Sequence, residues 1–189
     1  MTDFRLVFNG PAQIAPLNSL RQRIAQILEI PQFESLTVVF SSEGGSVTEA
    51  LSFCGYLKSL PVPFSFHGVG AVSSAAIQIF LSATKRTCEP NCRFFFHAFD
   101  YTFPQGGMTP DQIEAAQLVL DIDRNTCKKI VQQNATIPSA ELDALYIRHT
   151  APTFIDAQKA KTWGMVRDVL DLNPTGELQP NVAIWSVGW

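Results

Sequence analysis

The run Leu36-Thr37-Val38-Val39-Phe40 does not alternate between apolar and polar residues, and this limits the chain's fold more than any other feature. A strand with one wet face alternates, whereas a continuous apolar run belongs to a strand covered on both sides, as in a parallel sheet between helices. Its neighbours fit that frame. Arg5-Leu6-Val7-Phe8 reads as a short strand, and Leu20, Ile24, Ile27 and Leu28 follow at helical spacing. After the central run comes a turn, Ser41-Ser42-Glu43-Gly44-Gly45-Ser46, and then Val47, Ala50, Leu51, Cys54 and Leu57 return to the period of a helix. Pro61 and Pro63 break the chain before the strand Phe64 to Val69; a helix from about Ala75 to Ala83 and a strand from Arg93 to His97 complete the series. Strands and helices in regular alternation predict an α/β fold, with crossover helices on a parallel or mixed sheet.

The second half is more helical. Thr109-Pro110-Asp111-Gln112 combines an N-cap, a proline at the first helical position and a glutamine three residues after the cap, so a long helix is expected to about Gln133. Ser139 is expected to cap a helix through about His149, and Asp156 a short one that stops at Gly164. Val166 to Leu172 reads as a closing strand. The stretch Asn173 to Trp189 reads as a tail whose Trp185 and Trp189 pack on the core or on a neighbouring subunit.

With 189 residues, 46% hydrophobic and 16% charged, the chain has the makings of one globular domain. A net charge of -3 without any dense Lys/Arg run argues against nucleic acid or an anionic membrane as partner. No apolar stretch approaches the roughly 18 residues of a spanning helix, and Met-Thr-Asp-Phe-Arg does not open a secretion signal, so a cytoplasmic protein is expected. Cys54, Cys88, Cys92 and Cys127 then read as reduced structural thiols. No His/Cys/Asp/Glu group has ligand spacing, so neither a metal nor an organic cofactor is indicated.

Three segments bear on chemistry. A serine hydroxyl is a poor nucleophile at neutral pH; it needs a base for its proton and N–H donors for the oxyanion. In Gly70-Ala71-Val72-Ser73-Ser74-Ala75-Ala76 a serine stands at a predicted helix start, where the Ala75 N–H is not used by the helix. Gly44-Gly45, after a buried strand, offers backbone without side chains: Gly45 as a second oxyanion donor and Gly44 for pairing with an extended substrate. His97 closes the strand Arg93 to Phe96 and is the best placed base of three histidines. Lys58 or Lys85 as base in a Ser-Lys dyad is the weaker arrangement.

The order of these segments resembles the Clp protease proteolytic subunit family, ClpP, of the crotonase-like superfamily, from about Arg5 to Leu170. The family's Ser-Pro-Gly-Gly-Ser-Val turn is matched by Ser42-Glu43-Gly44-Gly45-Ser46-Val47, with Glu43 in place of proline. Its nucleophile segment is matched in a register that selects Ser74 over Ser73. Lys85-Arg86 and Pro90-Asn91-Cys92-Arg93-Phe94-Phe95-Phe96-His97 are similar to its Lys/Arg and Pro-Asn-Ser-Arg, strand and His. Pro104-Gln105-Gly106-Gly107 resembles the start of its handle region, and Phe154 to Ala160 with Gly164-Met165-Val166 its last helix and strand. The resemblance implies repeated β-β-α/β-α units with a protruding handle helix. It also implies one peptidase domain over 1–172, a handle at about 98–133 and a tail at 173–189.

In function the resemblance implies a serine endopeptidase acting on peptides or unfolded polypeptides. Ser74 is the nucleophile, His97 the base, and Gly45 and Ala75 the oxyanion donors, in a homo-oligomeric, heptameric ring that stacks in pairs. The family's catalytic Asp position falls on Pro152, so the third triad member is missing, and a backbone carbonyl, Thr150 or Thr153 is left to orient His97. Asp156 is explained as a helix cap. The first strand begins almost at Met1, which leaves no axial loop for an ATPase unfoldase, and that partner is not expected. Two other readings stand beside this one: a non-catalytic subunit or scaffold, and an acyl-CoA enzyme of the crotonase type, which would bind thioesters without covalent serine chemistry.

Overall fold

Five phenylalanines run through the centre of the molecule in ring-to-ring contact. Phe8 meets Phe40 at 5.5 Å between centroids, Phe40 meets Phe66 at 5.0 Å, Phe66 meets Phe80 at 6.0 Å and Phe80 meets Phe94 at 5.4 Å. All five are fully buried. Four lie on neighbouring strands and Phe80 on a covering helix, so a row of rings fixes the relative placement of four strands.

The structure is a computed structural model that describes residues 2–99, 105–146, 153–177 and 179–188. In chain order its elements are β1 (Thr2–Asn9), α1 (Ile14–Leu28), β2 (Phe33–Ser42), α2 (Val47–Ser59), β3 (Phe64–Ser73), α3 (Ala76–Leu81), β4 (Lys85–Cys88), β5 (Arg93–Phe96), α4 (Pro110–Asn134), α5 (Ser139–Leu145), β6 (Thr153–Asp156), α6 (Ala157–Thr162), β7 (Asp168–Val169) and β8 (Val182–Ser186). The strands form one sheet in the order β6-β5-β3-β2-β1-β8, with β4 and β7 branching from β3. Every pairing is parallel except β5 with β6. This is the α/β architecture anticipated from the alternating elements.

The branch originates in a bulge. Phe40 pairs with Gly68 and Ser42 with Val72, so β3 spends two more residues than β2 over the same span, and Gly70 turns through φ +60°. Below the bulge β3 pairs with β4 through Ser65–Gly68; beyond it, through Ala71–Ser73, it pairs with β5. One edge of β3 thus serves two strands in succession.

The helix starts follow local chemistry where that chemistry is strong. Thr109 and Gln112 form a reciprocal capping box at α4, and Asp156 accepts the Lys159 N–H at 2.7 Å to cap α6, which ends before Gly164 at φ +68°. Three expectations are corrected. Ser139 is the first residue of α5, behind Pro138, with no side-chain cap; the part expected to extend to His149 lies outside the described residues beyond Tyr146. The strand expected over Val166 to Leu172 is only Asp168–Val169, because among the described residues β4 is its sole strand partner and ends at Cys88. Residues 182–186, read as tail, form β8 against β1, where Trp185 packs edge-on to Phe4; Trp189 lies outside the described residues.

Arg86 gathers the far ends of three helices. Its guanidinium donates to the carbonyls of Leu81, Ala83, Asn134, Gly164 and Met165, at 2.6 to 3.4 Å. Leu81 and Asn134 are orphan acceptors in the last turns of α3 and α4, where the helix dipoles are negative, and Ala83, Gly164 and Met165 lie in the turns just after α3 and α6. The four cysteines are free thiols and all buried.

Candidate active site

The parallel strands β2, β3 and β5 finish side by side, and the three segments singled out above leave the sheet from those carboxyl ends. In α/β sheets that edge is where ligands are bound. Ser73, last in β3, pairs with Phe95 and is buried, while Ser74 is half-buried just beyond it. The Ser74 N–H donates to the Phe95 carbonyl at 2.8 Å, so strand pairing continues into the first residue of the turn. Ser74 then bends the chain with φ +54°, alone among the described non-glycine residues in a positive φ. The result is a sharp elbow from strand to helix that lifts one hydroxyl out of the sheet.

Gly44 lies directly against this elbow. A β-carbon there would sit 2.7 Å from the Ser74 Cβ, 2.7 Å from the Ser73 carbonyl oxygen and 3.2 Å from the Ala75 nitrogen, and Gly44 itself has φ +89°. Only glycine satisfies both demands. Gly44 was expected to pair with a substrate strand, but its N–H donates to Ser42 Oγ at 3.2 Å and its carbonyl accepts from the Ala12 N–H at 2.7 Å. The N–H is thus engaged within the chain, the carbonyl oxygen keeps a second lone pair, and the feature seen at Gly44 is its close approach to Ser74. Its neighbour differs. Gly45 is exposed and bridged to Ala12, and neither its N–H nor that of Ala75 has an acceptor among the described residues.

His97 follows β5 by one residue, half-buried, with its ring 5.6 Å from that of Phe95. Phe95 is in turn 4.5 Å from Phe154 on β6, so the imidazole ends a row of three rings. Its Nδ1 is 2.6 Å from the Ala98 carbonyl oxygen, which can only accept; Nδ1 therefore carries the proton and Nε2 the free lone pair. Among the described residues no hydrogen bond joins Ser74 Oγ to the ring. Pro152 and Thr150 lie outside the described residues. Thr153 pairs with Phe96 beside His97, whereas Asp156 pairs with Arg93 at the other end of β6, three residues or about 10 Å along the strand. Asp156 is thus occupied as a cap and far from the imidazole.

A model of the Clp protease family matches residues 16–173. The chain belongs to the Clp protease family. Among curated Clp proteins it is similar to the ATP-dependent Clp protease proteolytic subunit 1 of Rhodopirellula baltica, at 27% identity over 186 residues, covering 92% of this chain and 75% of that protein. Among solved Clp structures it is similar to a point mutant of ClpP1 from Listeria monocytogenes, with a TM-score of 0.71 and 19% identity, covering 88% of this chain and 91% of that one. The latter likeness carries the Clp fold alone. Among the described residues no helix is long and apolar enough to cross a membrane, and no group of three His, Cys, Asp or Glu could hold a metal ion.

Sequence reasoning left a backbone carbonyl open as the partner of His97 without naming Ala98, and it missed the Ala12 and Ser42 contacts that fix Gly44 and a buried amide behind the elbow, Gln78. Only the last left a signal, as one polar residue in the apolar run Ala-Ile-Gln-Ile-Phe-Leu.

Proposed function

We propose that the protein is a serine endopeptidase that cleaves peptides or unfolded polypeptides through an acyl-enzyme on Ser74. The observation that carries this reading is the strained Ser74 elbow held against Gly44, since a non-glycine residue is kept at positive φ only where the surrounding structure enforces it. In the reaction, His97 Nε2 takes the Ser74 proton as Oγ attacks the scissile carbonyl, and the oxyanion is held by the Gly45 and Ala75 N–H groups. The imidazolium then returns its proton to the leaving amine, and water repeats the cycle on the ester. The Ala98 carbonyl takes over one task of the family's carboxylate, fixing the tautomer; it brings a dipole rather than a full charge to the imidazolium, so slow turnover is expected.

The chain acts as one peptidase domain, with the region around α4 as its handle. Ile113, Leu118, Val119 and Ile122 are 48 to 61% exposed on that helix, an apolar surface suited to burial against further copies in a ring. A fluorophosphonate probe tests the catalytic reading. Adduct at Ser74 that disappears in Ser74→Ala and His97→Ala supports it, and an unlabelled assembled protein overturns it. The second reading, a non-catalytic subunit, is favoured by the absence of a Ser74–His97 hydrogen bond and by proline at position 152.

A further inference from the structure

Gln78 is 1% exposed in α3, whose six residues are all buried, and a primary amide in such surroundings is costly unless its donors and acceptor are engaged. The hydrogen-bond network assigns its orientation. With Oε1 accepting from the Tyr146 hydroxyl at 3.1 Å, Nε2 donates to the Ser74 carbonyl at 3.2 Å and to the Ala75 carbonyl at 3.1 Å. Tyr146 is itself anchored, edge-on to Phe96 at 6.0 Å and stacked on Phe99 at 5.8 Å. Burial pushes its pKa up, so the hydroxyl keeps the proton it donates.

The Ser74 carbonyl and the Ala75 N–H are the two ends of one planar, trans peptide unit. Whatever fixes the direction of the oxygen fixes the opposite direction of the N–H. We infer that Gln78, braced by Tyr146, is a positioning residue that holds the Ser74–Ala75 peptide so that the Ala75 N–H faces the oxyanion. The Ile77 N–H also donates to the Ser74 carbonyl, at 3.1 Å, but it belongs to the same short turn and moves with it. The Gln78 side chain, through Tyr146, ties the peptide to α5 and β5, outside the turn. This inference rests on Ser74 as nucleophile for its catalytic consequence and on geometry alone for the holding of the peptide.

Two variants and two readouts test it. Gln78→Met keeps the volume and removes the amide; Tyr146→Phe removes only the hydroxyl and is the milder change. With an ester substrate, kcat should fall roughly tenfold to a hundredfold in Gln78→Met with KM unchanged, less in Tyr146→Phe, and the double variant should match Gln78→Met because Tyr146 acts through the amide. A rise in KM at constant kcat, or additive losses in the double variant, would overturn the positioning role. The second readout is independent of turnover: in a crystal structure of Gln78→Met the Ser74–Ala75 peptide should rotate or split into two orientations. An unmoved peptide sinks the inference even if Ser74 is active. An unlabelled wild type together with a rotated peptide instead refutes Ser74 catalysis and leaves the brace intact.

Discussion

Gly44 and Ser74 touch, 30 positions apart in sequence, so closely that the space for one β-carbon is already taken by the other. The turn after β2 and the elbow after β3 are therefore one unit. Gly44→Ala must relieve both a 2.7 Å overlap and a φ of +89°, and it should cost about 2 to 4 kcal/mol in chemical denaturation while reducing probe labelling of Ser74 more than tenfold. Wild-type labelling in a stable Gly44→Ala protein would show that the two turns do not depend on each other.

His67 predicts a pH dependence unrelated to catalysis. It is fully buried in β3 with Nδ1 2.8 Å from Thr87 Oγ1 and no partner for Nε2 among the described residues. Burial first, then the charge of Arg5, lower its pKa from 6.5 to about 4, against a smaller opposing pull from Asp171. The folded state thus prefers the neutral ring. Its contribution is complete above pH 6.5 and is lost as pH falls toward 4, because the unfolded chain takes up the proton first; the whole effect is on the order of 3 kcal/mol. Urea midpoints at pH 7.5, 6 and 5 should separate wild type from His67→Gln, whose curve should be flatter across that window. Parallel curves would assign the acid sensitivity elsewhere.

Arg86 should tolerate no substitute. A lysine can satisfy one or two of the five carbonyls it serves and leaves the others dehydrated without donors, so Arg86→Lys should cost about 2 to 4 kcal/mol despite keeping the charge. A change below 0.5 kcal/mol in the unfolding free energy would mean that water replaces the lost bonds.

The exposed residues of α4 make assembly testable without touching the site. Leu118→Glu with Ile122→Glu should shift sedimentation from a large oligomer toward smaller species while leaving the circular dichroism of the subunit unchanged. An unchanged sedimentation coefficient would place the subunit contacts elsewhere.

What could be read from sequence was chiefly what is local. The Thr109 capping box and the Asp156 cap are made by residues three apart, and the central strand announced itself by the largely apolar run Leu36 to Phe40, although its burial alternates, with Leu36, Val38 and Phe40 buried and Thr37 and Val39 half-buried. β4, β6 and β8 were not legible, since Lys-Arg-Thr-Cys or Val-Ala-Ile-Trp-Ser becomes strand only through a distant partner. The same holds at the candidate site. Ser74, His97 and the glycines stood out by type and order, but the carbonyl beside His97 is a backbone group that every residue carries, and the Gln78–Tyr146 bridge joins residues 68 apart.

The pairing of β1 with β8 has a bearing on synthesis. Asp3 to Val7 lie against Val182 to Ser186, so β1 meets its outer neighbour only when almost all of the described chain exists. Until then β1 carries a row of unmatched N–H and C=O groups beside the buried Phe4 and Leu6, an open template for a strand from another molecule. Chains that stop short of residue 182 keep that template; once β8 docks, the open edge passes from β1 to the five residues of β8, and the longer strand is covered.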